Sequence, residues 1–169
     1  GIAQISAASG LEVTLVDVKA DVLAKNKDVI AKSLSRLMKK QGEKKGGNVD
    51  DVPKAVDEIM SRISTSTDAQ AAVKNADLVV EAVFENPELK AKITKQAEAQ
   101  LSDTAVMGSN TSTLPITGLA EASVRPANFI GIHFFSPVER MGLVEIIKGK
   151  ETSEETLAKS IDYVLKIRK

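Results

Sequence analysis

Buried-strand segments alternate with amphipathic segments along this chain, and that alternation predicts an α/β fold with a doubly wound, mostly parallel sheet. Two further observations sharpen the expectation. Residues 1–9 are small and apolar, suited to a helix packed closely on a sheet, and residues 13–17 follow as a buried strand that ends in a carboxylate, Asp17. A helix feeding such a strand is the second half of a βαβ unit. The expected fold is therefore truncated at its N-terminus, with a first strand and its glycine turn lying before Gly1.

The elements follow in order. Gly10 is placed to stop the first helix. A long helix is expected over 21–41, with Val22, Val29, Ile30, Leu34, Leu37 and Met38 as its apolar positions, then a polar, glycine-containing loop over 41–51. A short helix over 52–60 precedes a short strand over 63–65. Asp68 can cap a brief helix through Val73. Residues 78–83 read as a buried strand, and Pro87 suits the start of a helix running to Leu101. Residues 104–108 form the next strand, 109–113 a loop, and Pro115 opens a short helix. The last two strands fall at 129–134 and 143–147, and Ser153 caps a helix to the chain end. No internal repeat, low-complexity tract or second domain is visible, so residues 1–169 are expected to form one domain.

Composition narrows the function classes. A chain of 169 residues can bury a sizeable core. Its 23 basic and 23 acidic residues argue against a dedicated nucleic-acid binder. The absence of cysteine excludes disulfides, thiolate metal sites and cysteine nucleophiles. No apolar run approaches the roughly 18 residues of a membrane helix.

Ligands of doubly wound sheets sit beyond the carboxyl ends of the strands, so those ends are the places to look for chemistry. Asp17 reads either as a carboxylate holding the two ribose hydroxyls of an adenosine or as an ordinary acidic turn residue. Glu85 and Lys90 either line a cofactor cleft or are a helix-start acid and a solvated lysine. Residues 109–112, Ser-Asn-Thr-Ser, can hydrogen-bond a substrate oxygen or a nicotinamide amide, and are also common turn formers. His133 is the chain's one histidine, at the end of an apolar strand, with Glu145 twelve positions on in a second apolar run. If the two runs pair antiparallel, the carboxylate reaches the imidazole and fixes its tautomer, the minimum equipment for moving a proton near neutral pH. Otherwise His133 is a satisfied core or surface residue, and Glu145 an edge-strand acid paired with Arg140 or Lys148. Ser33 and Lys40, seven apart on one face of the long helix with Lys39, Lys44 and Lys45 nearby, read either as a grip on a phosphorylated substrate handle or as a solvated charged face.

Taken together, residues 1–4 (Gly-Ile-Ala-Gln), 80–85 (Val-Glu-Ala-Val-Phe-Glu), 109–112, and 133–138 (His-Phe-Phe-Ser-Pro-Val) with 143–145 (Leu-Val-Glu) resemble the cofactor domain of the L-3-hydroxyacyl-CoA dehydrogenases, over essentially the whole chain. The resemblance implies a Rossmann-like fold and NAD-dependent oxidation of the 3-hydroxyl of an acyl-CoA to a ketone. It gives His133 the role of base, Glu145 that of orienting it, and Ser112 that of holding the reacting oxygen, with Asn110 beside it. Asp17, Glu85, Lys90 and Asn110 would border the NAD, and Ser33 and Lys40 would contact coenzyme A. The long 39–52 connection looks more like the monofunctional mitochondrial enzymes, so a mitochondrial matrix is expected, with a bacterial cytoplasm as the alternative. The chain departs from the family in lacking the first strand and glycine-rich turn, in Ser136 where many members have Asn, and in lacking the helical C-terminal domain that closes the cleft and carries a homodimer interface. Without the glycine turn, these 169 residues alone are expected to bind NAD poorly and to be inactive. A dehydrogenase of free sugar acids and a non-catalytic dinucleotide-binding relative are the alternatives.

Overall fold

A computed structural model describes residues 1–44 and 49–169, so Lys45 of the expected basic group lies outside the described residues. The chain divides into two compact units, Gly1–Asp68 and Ala69–Lys169.

The first unit runs α1 (Ile2–Ala8), β1 (Val13–Val16), α2 (Ala20–Lys44), α3 (Val52–Ser61) and β2 (Ile63–Ser66). Gly10 stops α1 as expected: it sits at φ 85°, its N–H donates to the Ala7 carbonyl at 3.0 Å, and the Leu11 N–H donates to Ser6 at 3.2 Å. That pair of bonds is a Schellman turn, which needs the left-handed conformation that glycine adopts without a Cβ penalty. β1 and β2 pair in parallel, Val13 opposite Ile63. Ala7, Ile30, Leu34, Val52, Val56 and Ile63 form the core between helices and strands. α2 continues to Lys44 rather than stopping at Gln41. Gly42 weakens a helix interior by about 1 kcal/mol, but its missing side chain admits Val49, whose Cγ1 would lie 3.1 Å from a Cβ there.

The second unit runs α4 (Ala69–Val73), β3 (Leu78–Glu81), α5 (Pro87–Glu98), β4 (Val106–Ser109), α6 (Ile116–Ala120), β5 (Phe129–Phe134), β6 (Val144–Lys148) and α7 (Glu154–Lys166). The strand order is β3-β4-β5-β6, with β3, β4 and β5 parallel and β6 antiparallel to β5. The six described strands thus form two hydrogen-bonded sheets, of two and four strands, and both are parallel except at β6. Helices cover both faces of the larger sheet. On one side a Cβ at Gly131 would meet Ile116 of α6 at 2.7 Å, so glycine is what lets α6 approach β5. On the other, Phe134 meets Tyr163 of α7 edge to face at 6.5 Å. Side chains alternate along a strand, so His133 shares the α6-facing side of β5 with Phe129 and Gly131. Val73, Ala97, Leu101, Met107, Ile116 and Phe129 are among the core residues of this unit.

Further boundaries differ from expectation. β3 stops at Glu81, not at Val83, because the Glu81 carboxylate takes the Val83 N–H at 2.6 Å and turns the chain. α5 ends at Glu98, where the Arg125 guanidinium donates to the carbonyls of Glu98 and Leu101 at 2.9 and 3.0 Å. Such a long-range cap satisfies helix-end carbonyls that no local pattern announces. The strand expected at 104–108 is shifted to Val106–Ser109, after a turn in which the Ala105 N–H donates to Ser102. Ser153 caps α7 as expected, its hydroxyl accepting the Thr156 N–H. No helix among the described residues is long and apolar enough to cross a membrane.

Candidate functional site

β5 and β6 form the expected antiparallel pair, and their register sets His133 directly opposite Glu145. His133 Nδ1 lies 2.9 Å from Glu145 Oε2. The histidine side chain is 15% exposed and the glutamate 50%, so the carboxylate reaches the ring from the solvent side. With Glu145 ionised, Nδ1 carries the proton and donates it, and Nε2 presents a lone pair. The Phe135 ring packs against the imidazole at a centroid distance of 4.6 Å. An imidazole with one nitrogen tied and one open can accept a proton from a bound hydroxyl.

The carboxyl end of β4 is sewn to this point. Asn110 Oδ1 accepts the Phe134 N–H at 2.8 Å, one residue from His133, while the Asn110 N–H donates to the Glu81 carbonyl at 2.8 Å. Asn110 therefore bridges β3 and β5 at the strand ends. Ser112 is exposed, and its N–H donates to Glu85 Oε1 at 2.9 Å. Thr111 donates its hydroxyl to Glu85 Oε2 at 2.8 Å. Partial burial would raise the Glu85 pKa. The Ser112 amide, the Thr111 hydroxyl and the Lys90 ammonium outweigh it and hold the carboxyl below its usual value.

Lys90 is not the solvated lysine of the simpler reading. It is 2% exposed, and its ammonium donates to both oxygens of Glu81, at 2.9 and 3.0 Å. Glu85 Oε2 is 3.7 Å from the same ammonium. Ser109 and Thr111 belong to the 109–112 run expected to carry hydrogen-bonding groups, whereas Glu81 is a member of this cluster to which the sequence assigns no role of its own. A signal was present for Glu81: a glutamate inside the apolar run 78–83 must be paired if that run is buried.

The remaining expected residues lie in the first unit. Asp17 follows β1, and its Oδ1 accepts the Lys19 N–H at 2.9 Å, an Asx turn. Ser33 and Lys40 both stand on α2, Ser33 half-buried and Lys40 exposed. Lys40 lines a shallow hollow on this helix with Lys32, Ser35, Arg36, Lys39 and Glu43, whose cations outnumber its one carboxylate.

The known proteins most informative here agree with one another. The family model described as 3-hydroxyacyl-CoA dehydrogenase, NAD binding domain, matches residues 1–169. The mitochondrial hydroxyacyl-coenzyme A dehydrogenase of Sus scrofa is 44% identical over 167 residues, 96% of this chain and 51% of that protein. A probable 3-hydroxybutyryl-CoA dehydrogenase of Deinococcus radiodurans is 45% identical over 156 residues, 92% of this chain and 52% of that protein. Among solved structures, (S)-3-hydroxybutyryl-CoA dehydrogenase from Ralstonia eutropha superposes with a TM-score of 0.89 at 36% identity, covering 99% of this chain and 56% of that one. The chain spans about half the length of these relatives. The α/β fold is of the Rossmann-like class expected, and with a family model matched from its first residue to its last, the chain belongs to the 3-hydroxyacyl-CoA dehydrogenase family as its NAD-binding domain.

Proposed function

We propose that the full-length protein oxidises L-3-hydroxyacyl-CoA to 3-ketoacyl-CoA with NAD, as a step of fatty-acid β-oxidation, and that residues 1–169 serve as one NAD-binding domain. The observation that carries this reading is the His133–Glu145 contact, 2.9 Å at Nδ1 with Nε2 left to accept a proton. His133 Nε2 takes the proton of the substrate 3-hydroxyl, and Glu145 holds the ring and stabilises the imidazolium that forms. Ser112, in the loop beside β5, holds the reacting oxygen, and Asn110 beside it borders the NAD.

The acceptor groups present suit a dinucleotide. Asp17 Oδ2 has no hydrogen-bond partner among the described residues and can accept the adenine ribose hydroxyls. Glu85, its carboxyl held below the usual value, offers a second carboxylate to hydroxyl donors, with Lys90 beneath it. NAD, when bound, supplies the acceptor for the hydride that leaves carbon 3. Ser33 and Lys40 contact coenzyme A, supported by the cationic character of the α2 hollow around Lys40. A homodimer belongs to the same reading and rests on the family resemblance alone. Relatives of mitochondrial and bacterial origin match at 44% and 45%, so a mitochondrial matrix and a bacterial cytoplasm both suit it.

The test is turnover by the full-length protein of 3-hydroxyacyl-CoA esters against the free hydroxy acids, with NAD and NADP. Oxidation of the esters with NAD is the expected result. Turnover confined to free acids would replace this reading with the sugar-acid one, and no turnover of either would favour a non-catalytic relative. Asp17→Ser should weaken NAD and narrow its advantage over NADP, because the carboxylate that repels a 2′-phosphate is gone.

A further inference from the structure

We propose that Glu81 is a positioning residue: it holds the Lys90 ammonium in the interior and thereby sets the place and the charge of Glu85 and of the 109–112 loop at the cofactor site. The inference rests on the reading that Glu85 faces the cofactor.

Glu81 ends β3 at the side of the sheet where ligands of this fold class bind, yet its own carboxylate cannot serve a ligand. The residue is 5% exposed. Oε1 accepts from the Val83 N–H at 2.6 Å and from Lys90 at 2.9 Å. Oε2 accepts from Lys90 at 3.0 Å and from the Ser109 hydroxyl at 2.8 Å. Four bonds occupy it on all sides. As a source of stability such a pair is a poor choice, since apolar residues of equal volume often do as well. Geometry is what it supplies. One ammonium stands between two carboxylates, the inner at 2.9 Å and the outer, Glu85, at 3.7 Å. The inner one neutralises it. Glu85 is then free to direct its oxygens at the Thr111 hydroxyl and the Ser112 amide and to keep a net negative charge toward solvent. Remove the Glu81 charge and Lys90 becomes a buried cation whose remaining carboxylate is Glu85. That attraction draws Glu85 inward, off Thr111 and Ser112. The same residue also anchors the end of β4 and the start of the loop after it, through the Ser109 hydroxyl and through the Asn110 N–H on its own carbonyl.

The experiment measures KM for NAD, kcat and melting temperature in the full-length enzyme carrying Glu81→Gln, Lys90→Met, both together, Glu85→Gln, or Ser109→Ala. Glu81→Gln should raise KM for NAD about tenfold, the loss of one charged hydrogen bond, with kcat at saturating NAD kept within about threefold. In the Lys90→Met background the same change should add less than about twofold, because Glu81 acts through Lys90. An unchanged KM in folded Glu81→Gln, or a loss that multiplies with Lys90→Met, overturns the proposal. So does a double variant whose KM recovers in step with its melting temperature, which marks a purely structural pair. A raised KM in Glu85→Gln beside a normal Glu81→Gln overturns this inference alone, whereas a normal KM in Glu85→Gln overturns the cofactor reading and this inference with it. Should Glu81→Gln not fold, Ser109→Ala decides. It removes one of the four bonds and should raise KM about two- to threefold, and no change there overturns the proposal.

Discussion

His133–Glu145 joins two antiparallel strands near solvent, through one nitrogen and one oxygen 2.9 Å apart, with half of the glutamate side chain exposed. Lys90–Glu81 joins a helix to a strand end in the interior, also at 2.9 Å, with both side chains 2% exposed and every carboxylate oxygen engaged at least twice. Equal distances conceal opposite physics. In the first pair an open nitrogen and a water-accessible carboxylate let a proton arrive and leave. In the second, desolvation makes any change of charge costly, so the pair holds geometry. A short charged contact by itself therefore does not identify a reactive group; the unused valences around it do.

The sharpest way to break that contrast is to remove the open nitrogen. His133→Gln in the full-length enzyme should lower kcat by roughly 100- to 10,000-fold, the usual range for a general base, with little change in KM. Near-normal turnover would leave the first pair no more reactive than the second. Next in size is a stability effect. Lys90→Met strands the Glu81 carboxylate in the interior and should cost on the order of 3–5 kcal/mol, measured as a shift of the denaturant midpoint at constant slope. Removing Glu145 should be far milder for folding: Glu145→Gln takes away a half-exposed charge and should cost about 0–1 kcal/mol in the same measurement, while still lowering activity through His133. If the two costs came out alike, burial would not be what separates the pairs. The smallest effect concerns Glu85, which lies between the two regimes. Its carboxyl should titrate below the ordinary 4.5, and the stability it contributes is present above that value and lost as pH falls through the lower folded pKa. Thr111→Val should move its midpoint upward in a carboxyl-resolved NMR titration. An unmoved midpoint would remove Thr111 from the causes.

The second pair also marks where reading the chain one residue at a time fails. His133 and Glu145 were legible because their spacing and two flanking apolar runs leave few pairings, and the hairpin register then forces them together. Lys90 looked like any lysine one turn into a helix, because its burial depends on Glu81 nine residues earlier and on Ser109, which reaches it only across the β3–β4 register. The early end of α5 was hidden for the same reason, since Arg125 caps it from 24 to 27 residues away.

Local chemistry alone determined the α/β class, the Schellman stop at Gly10, the Pro87 and Ser153 helix starts where they were expected, and the order in which the strands occur. These are decided by backbone conformational preference and by hydrophobic period, which act over a few residues. Tertiary structure decided where α5 ends, which carboxylates are spent and which are open, and that a lysine could be buried at all. A charge enters a protein interior only when its partners are already placed there, and those partners come from β3, β4 and α5, brought together by the sheet and not by the order of the chain.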